Sequence, residues 1–162
     1  MSGLDEPDDD RTETPTERLD RNWSELLQEL RVTQTGVQIL TGFLLTLPFQ
    51  ARFTRLSAFD RHLYLVVLLL AATATALLIA PVSAHRILFR RRRKATLVTL
   101  GDVSAKVGLS VLALTVAGVV LLVFDVVLGL EPAVATSVAT LGLIVALWLG
   151  VPLVLRRNLP QR

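Results

Sequence analysis

Three observations predict an all-α fold, a four-helix transmembrane bundle preceded by an N-terminal amphipathic helix at the cytoplasmic face or membrane interface. The 162 residues are 52 % hydrophobic and 19 % charged, with a mean hydropathy of +0.55. That is too little polar surface for a soluble domain of this length. Uncharged stretches of 20, 22, 18 and 24 residues fall at 32–51, 63–84, 107–124 and 132–155, and a bilayer core of roughly 30 Å needs about 20 helical residues. The charges are also segregated: residues 1–31 carry a net −6 and residues 32–162 a net +9. The high isoelectric point, about 10.2, thus describes an acidic head on a basic membrane protein and does not indicate a nucleic-acid partner.

The head divides in two. "MSGLDEPDDDRTE" (1–13) is acidic, holds Pro and Gly, and has too few apolar residues to fold, so it reads as a disordered tail. It lacks the basic start and apolar run of a cleavable signal. Residues 14–31 read as an amphipathic pre-helix. Thr14 is placed as N-cap, Pro15 at the first helical position and Glu17 as the far side of a capping box. Leu19, Trp23, Leu26, Leu27 and Leu30 form one apolar stripe. A stripe with a Trp directly before a span is expected to lie along the interface or pack beneath the bundle, rather than meet a soluble partner.

Residues 32–155 form the membrane domain, with spans at about 32–51, 63–84, 103–127 and 132–155, and residues 156–162 a basic tail. The connection "HRILFRRRRK" (85–94) holds six firm cations, and Arg156, Arg157 and Arg162 close the chain. The opposite connections are "ARFTRLSAFDRH" (51–62), with three arginines and Asp60, and "DVVLGLEPA" (125–133), with no base. An excess of Lys and Arg marks the cytoplasmic side, which places both termini in the cytoplasm. Arg90, Arg91, Arg92, Arg93 and Lys94 then act as the topological anchor, touching anionic lipid headgroups.

The first span has the most polar character. Arg31, Gln34, Thr35, Gln38 and Thr41, with Gly42, fall within about a quarter-turn either side of one line. Unsatisfied polar groups in lipid cost several kcal/mol, so this face meets protein or water. It serves either as interhelical glue or as a pathway, and glue is the expectation. Ala72, Ala76 and Ala80 in the second span, and Gly142, Ala146 and Gly150 in the fourth, are small-residue faces suited to close helix contact, within one chain or between copies. Asp102 and Lys106 are spaced as a favourable helix pair, with Ser110, Ala113 and Ala117 continuing their face. Asp125 closes the uncharged part of the third span at the external side. With Glu29, His85 and Arg86, Asp102 and Lys106 read as cytoplasmic-interface residues, and none of these charges falls at the midplane where an ion pump holds its carboxylate.

The sequence has no cysteine, and His62 and His85 lie on opposite sides, so no metal site is expected. No HExxH, GxSxG, P-loop or dinucleotide fingerprint occurs; we expect no enzyme and no cofactor. "ELRVTQTGVQILTGFLLTLPFQARF" (29–53), "AP" at 80–81 and "HRILFR" (85–90) resemble an uncharacterised family of small bacterial four-helix integral membrane proteins. Some members of that family carry an automatic sodium:proton antiporter label. The resemblance spans about residues 20–130 and picks out Glu29, Arg31, Gln34, Gly36, Gln38, Pro48, Phe49, His85 and Arg86. It implies a multi-pass protein of a bacterial cell membrane and brings no catalytic residue. The function expected is a non-enzymatic structural or interaction protein that forms homo-oligomers. The alternative is a small ion or solute transporter or channel-like oligomer using the polar face of the first span.

Overall fold

The computed structural model describes residues 15–88 and 94–158, which form helices and short turns with no strand. The tail 1–13, Thr14, Arg90, Arg91, Arg92, Arg93 and residues 159–162 lie outside the described residues. So do the side chains of Leu19, Trp23, Leu26, His85, Arg86, Lys94, Arg156 and Arg157.

Helix α1, Pro15–Thr46, runs for 32 residues without interruption through the boundary at 31/32, a length of about 48 Å at 1.5 Å per residue. It opens on Pro15, where a missing N–H costs nothing. Its α-helical bonding stops short of Pro48, which has no N–H to offer the Leu44 carbonyl. Two 3₁₀ turns follow, Leu47–Phe49 and Phe53–Arg55. Helix α2, Ala58–Leu88, starts with a reciprocal cap. The Asp60 N–H donates to Ser57 Oγ at 3.1 Å, while Asp60 Oδ2 accepts from Ser57 N at 3.3 Å and from Ser57 Oγ at 2.7 Å.

Helix α3, Lys94–Leu128, has 35 residues and no proline. A single residue, Gly129, separates it from α4, Leu130–Val145, with φ 94° and ψ 172°, a region open essentially to glycine alone. A π turn at Ala146–Gly150 joins α4 to α5, Val151–Asn158. Pro152 has no N–H for the Trp148 carbonyl, and the turn before it closes with the wider bond from Val151 N–H to Ala146 O.

Three helical stretches are long and apolar enough to cross a membrane: Ala58–Ser83, Thr99–Leu128 and Leu130–Val154. The first expected span is not among them. Gln34, Gln38 and the threonines dilute its apolar character, and the regular helix ends at Thr46.

The helices pack about α3, which contacts α1, α2 and α4; α4 rests almost wholly on α3. The expected bundle is thus open on one side. Two core clusters hold α1, α2 and α3 together. Leu30, Val37, Ala74, Leu78 and Ala105 pack at the end carrying the termini (the proximal end), and Leu44, Tyr64, Val67, Ala71 and Leu122 at the other (the distal end). Glycine allows the closest α2–α3 approaches: a Cβ on Gly108 would stand 3.0 Å from Leu78, and one on Gly118 2.6 Å from Val67 Cγ2.

Proline inside a helix releases the carbonyl four residues earlier, and in an apolar surround that carbonyl needs a new donor. Pro81 releases Leu77 O, and Ser104 Oγ from α3 donates to it at 2.7 Å. Gln34 Nε2 from α1 donates to the adjacent Leu78 O, also at 2.7 Å. Pro48 likewise releases Leu44 O, which takes the Tyr64 hydroxyl at 3.1 Å. The threonines are satisfied within their own helices: Thr33, Thr35 and Thr41 donate to Glu29, Arg31 and Val37 carbonyls.

Ser104→Ala is expected to lower stability by about 1 kcal/mol. In a Pro81→Ala background the loss should shrink, because the new alanine N–H can retake Leu77 O. Reversible unfolding of the four variants in lipid measures the coupling; strictly additive effects would refute the assignment.

Candidate functional site

The buried row of α1 runs through Leu30, Val37 and Leu44, and the helix turns about 100° with each residue. The structure divides the predicted polar face between this row and its flank. Gln34 and Thr41 are half-buried beside the core and find carbonyl partners. Arg31, Thr35 and Gln38, with Gly42, form a separate row that is exposed, roughly a third of a turn round from the buried one. Thr35 is bonded within its helix. Farther round, Val32, Ile39 and Phe43 make an apolar outer surface. Glu29 is exposed and its carbonyl accepts from Thr33. The residues predicted as one line are therefore two rows, one beside the core, from which Gln34 bonds to α2, and one facing outward.

The small-residue faces also point outward. Ala72, Ala76 and Ala80 are exposed, while Ala71, Ala74 and Leu78 form the packed side of α2. A Cβ on Gly36, Gly42, Gly142 or Gly150 would meet no atom within 4 Å. In the most apolar part of the α4–α5 stretch no residue is buried. By contrast, Ala113 and Ala117 of α3 are buried, and Ser137 Oγ of α4 donates to Ala117 O at 2.8 Å.

Asp102 and Lys106 pair as their spacing suggests, with Lys106 Nζ 2.6 Å from Asp102 Oδ2. Both are well exposed, so the pair contributes only tenths of a kcal/mol. Lys106 stands beside an apolar groove of about 980 Å³ where α4 stands away from α1, lined by Thr33, Ser110, Ala113, Leu141, Trp148 and Pro152 among others. His85 and Arg86 fall on the last turns of α2.

At the distal end Asp60 caps the start of α2. Asp60 is 7 % exposed, and its Oδ1 has no hydrogen-bond partner. Asp125, near the far end of α3, lies at the same end of the molecule. Among the described residues no cation comes within salt-bridge range of either carboxylate. The available signal was the spacing Ser57-x-x-Asp60 before an apolar run, which marks a helix start and places Asp60 at the same end as Asp125. Among the described residues no three potential ligands cluster to hold a metal.

No curated protein and no solved structure matches the chain. Residues 12–152 match a family whose description is "Family of unknown function (DUF6328)". That match runs from the start of α1 to the start of α5, covering the polar rows of α1, the open groove and both distal aspartates, and the chain belongs to that family.

Proposed function

We propose that the protein is a four-span, non-enzymatic interaction protein of a bacterial cell membrane, with both termini cytoplasmic, that self-associates through the outer faces of α1 and α4. The observation that carries this reading is the exposed row Arg31, Thr35, Gln38 and Gly42 on a helix whose neighbouring outer row is apolar. With α1 as the fourth span, the Gln38 amide would face lipid in a single copy, and such a group needs protein or water beside it. A second copy supplies both a hydrogen-bond partner and surface for the unfilled glycine positions on α1 and α4. The arginine-rich connection between α2 and α3 supports the orientation and gives anionic headgroups a docking point. The pre-helix then continues the first span into the cytoplasm along the line of α1.

Native mass measured in lipid nanodiscs tests the reading. The wild type is expected as an oligomer, and Gln38→Leu combined with Gly142→Leu should shift it toward single copies. Flux measured in parallel separates the alternative. A reconstituted protein that moves sodium or protons, and loses this with Gln38→Leu, would replace association by transport through the polar row.

A further inference from the structure

We propose that the groove between α3 and the α4–α5 arm binds a phospholipid with an anionic headgroup, drawn from the leaflet at the proximal end. The groove holds about 980 Å³, and ligand pockets run to about 1,000 Å³. The arm is tied to α3 in its distal half, where Ala133 is buried and Ser137 Oγ donates to Ala117 O. Farther along, Leu141, Ile144, Trp148 and Pro152 line the groove instead, and the π turn at Ala146–Gly150 falls among them. Across from them stand Ala113, Ser110 and Lys106 of α3. Left empty, an apolar opening of this size forfeits the packing contacts of its walls, so in a bilayer it takes up lipid or protein.

The charge of the lining selects the occupant. Among the described residues the groove has one charged side chain, Lys106, and no carboxylate. Lys106 is the eighth residue of the apolar stretch Thr99–Leu128, about 10 Å from its start at 1.5 Å per residue. A charge at that depth needs a partner. Its ammonium has three N–H donors, and Asp102 takes one at 2.6 Å from outside the groove lining. The other donors are left for an acceptor at the groove mouth. Ser110, one turn on, donates its hydroxyl to Lys106 O at 2.9 Å, so it lines the groove with its donor satisfied. A lipid phosphate meets the ammonium while the acyl chain lies along the apolar wall. The same end carries the basic connection 85–94, whose charge concentrates anionic lipid there. This site requires the apolar helices to lie in a membrane and does not depend on self-association.

Trp148 reports on the groove from inside it. The chain has two tryptophans, so Trp23→Phe leaves Trp148 as the only one. The full chain with that change is reconstituted in vesicles holding a minor fraction of lipid brominated on its acyl chains, either phosphatidylglycerol or phosphatidylcholine. The anionic lipid is expected to quench Trp148 with about fivefold higher affinity, the factor that one lysine gives an anionic headgroup. Lys106→Gln in that background should make the two lipids equal, and Lys106→Arg should keep the preference. Ser110→Leu fills the groove and leaves Lys106 in place. It should also abolish the preference, which a headgroup contact on the open surface would survive. Wild type read against Trp148→Phe gives the same comparison if Trp23→Phe fails to fold. Equal quenching by the two lipids before any change at Lys106 or Ser110 overturns the proposal, whatever those variants do. A preference that persists in folded Lys106→Gln or folded Ser110→Leu protein overturns it too. So does a Trp148 shielded from both lipids in an oligomer, since a second copy then fills the groove. Native mass of the same samples separates this site from the proposed assembly: a single-copy protein that keeps the preference removes the assembly and leaves the lipid site.

Discussion

Gly118→Leu is expected to separate α2 from α3 and to produce the largest loss of stability of any single change in the bundle. Alanine at this position already places a Cβ 2.6 Å from Val67 Cγ2. Val67 is 1 % exposed and belongs to the distal core cluster, and a β-branched side chain in a helix has essentially one rotamer. It cannot swing aside. Replacing glycine by alanine gains about 1 kcal/mol of helix propensity, but overpacking a closed contact costs about 1–3 kcal/mol. Alanine should therefore be mildly destabilising, and leucine should lose about 3 kcal/mol or more. Val67→Ala should restore room, so Val67→Ala with Gly118→Ala should be more stable than the sum of the single changes. Reversible unfolding in bicelles checks this. A stable Gly118→Leu protein would mean that α2 and α3 do not meet at this point.

Tyr64→Phe is expected to cost about 1–3 kcal/mol, the penalty for an unsatisfied buried acceptor. The substitution keeps the ring, which packs edge-on against Phe53 with centroids 5.1 Å apart and planes at 81°. What it removes is the donor to Leu44 O, the carbonyl that Pro48 cannot serve. Pro48→Ala supplies an N–H and should reduce the penalty of Tyr64→Phe while changing little alone. Thermal denaturation of the four proteins in one lipid provides the comparison. Equal losses from Tyr64→Phe with and without Pro48 would show that the hydroxyl has no such role.

The helices were legible because long uncharged runs leave the chain few choices in oil, and Pro48, Ser57 and Gly129 punctuate those runs by local rules. The outward tilt of the polar row was not legible. Gln34 and Gln38 are one helical turn apart and look equivalent in a helical projection, yet one reaches the Leu78 carbonyl and the other is exposed. That difference depends on where α2 docks and on Pro81 within it, which no periodicity in α1 encodes. The position of each released carbonyl could be read from the prolines; the identity of the donor could not, since Ser104 and Tyr64 reach theirs only after docking. Asp60 and Asp125 were foreseeable as occupants of one end, because α2 begins where α3 finishes.

Both core clusters draw their buried residues from α1, α2 and α3, and α4 adds none. The packing is a three-helix core with a fourth helix docked on its side. With no residue in either cluster, α4 is expected at the low end of the local stability spectrum, where sub-global opening starts. Such an opening leaves both clusters packed and breaks the bond from Ser137 Oγ to Ala117 O. The element least needed for either core cluster is therefore the one most able to leave the body of the fold.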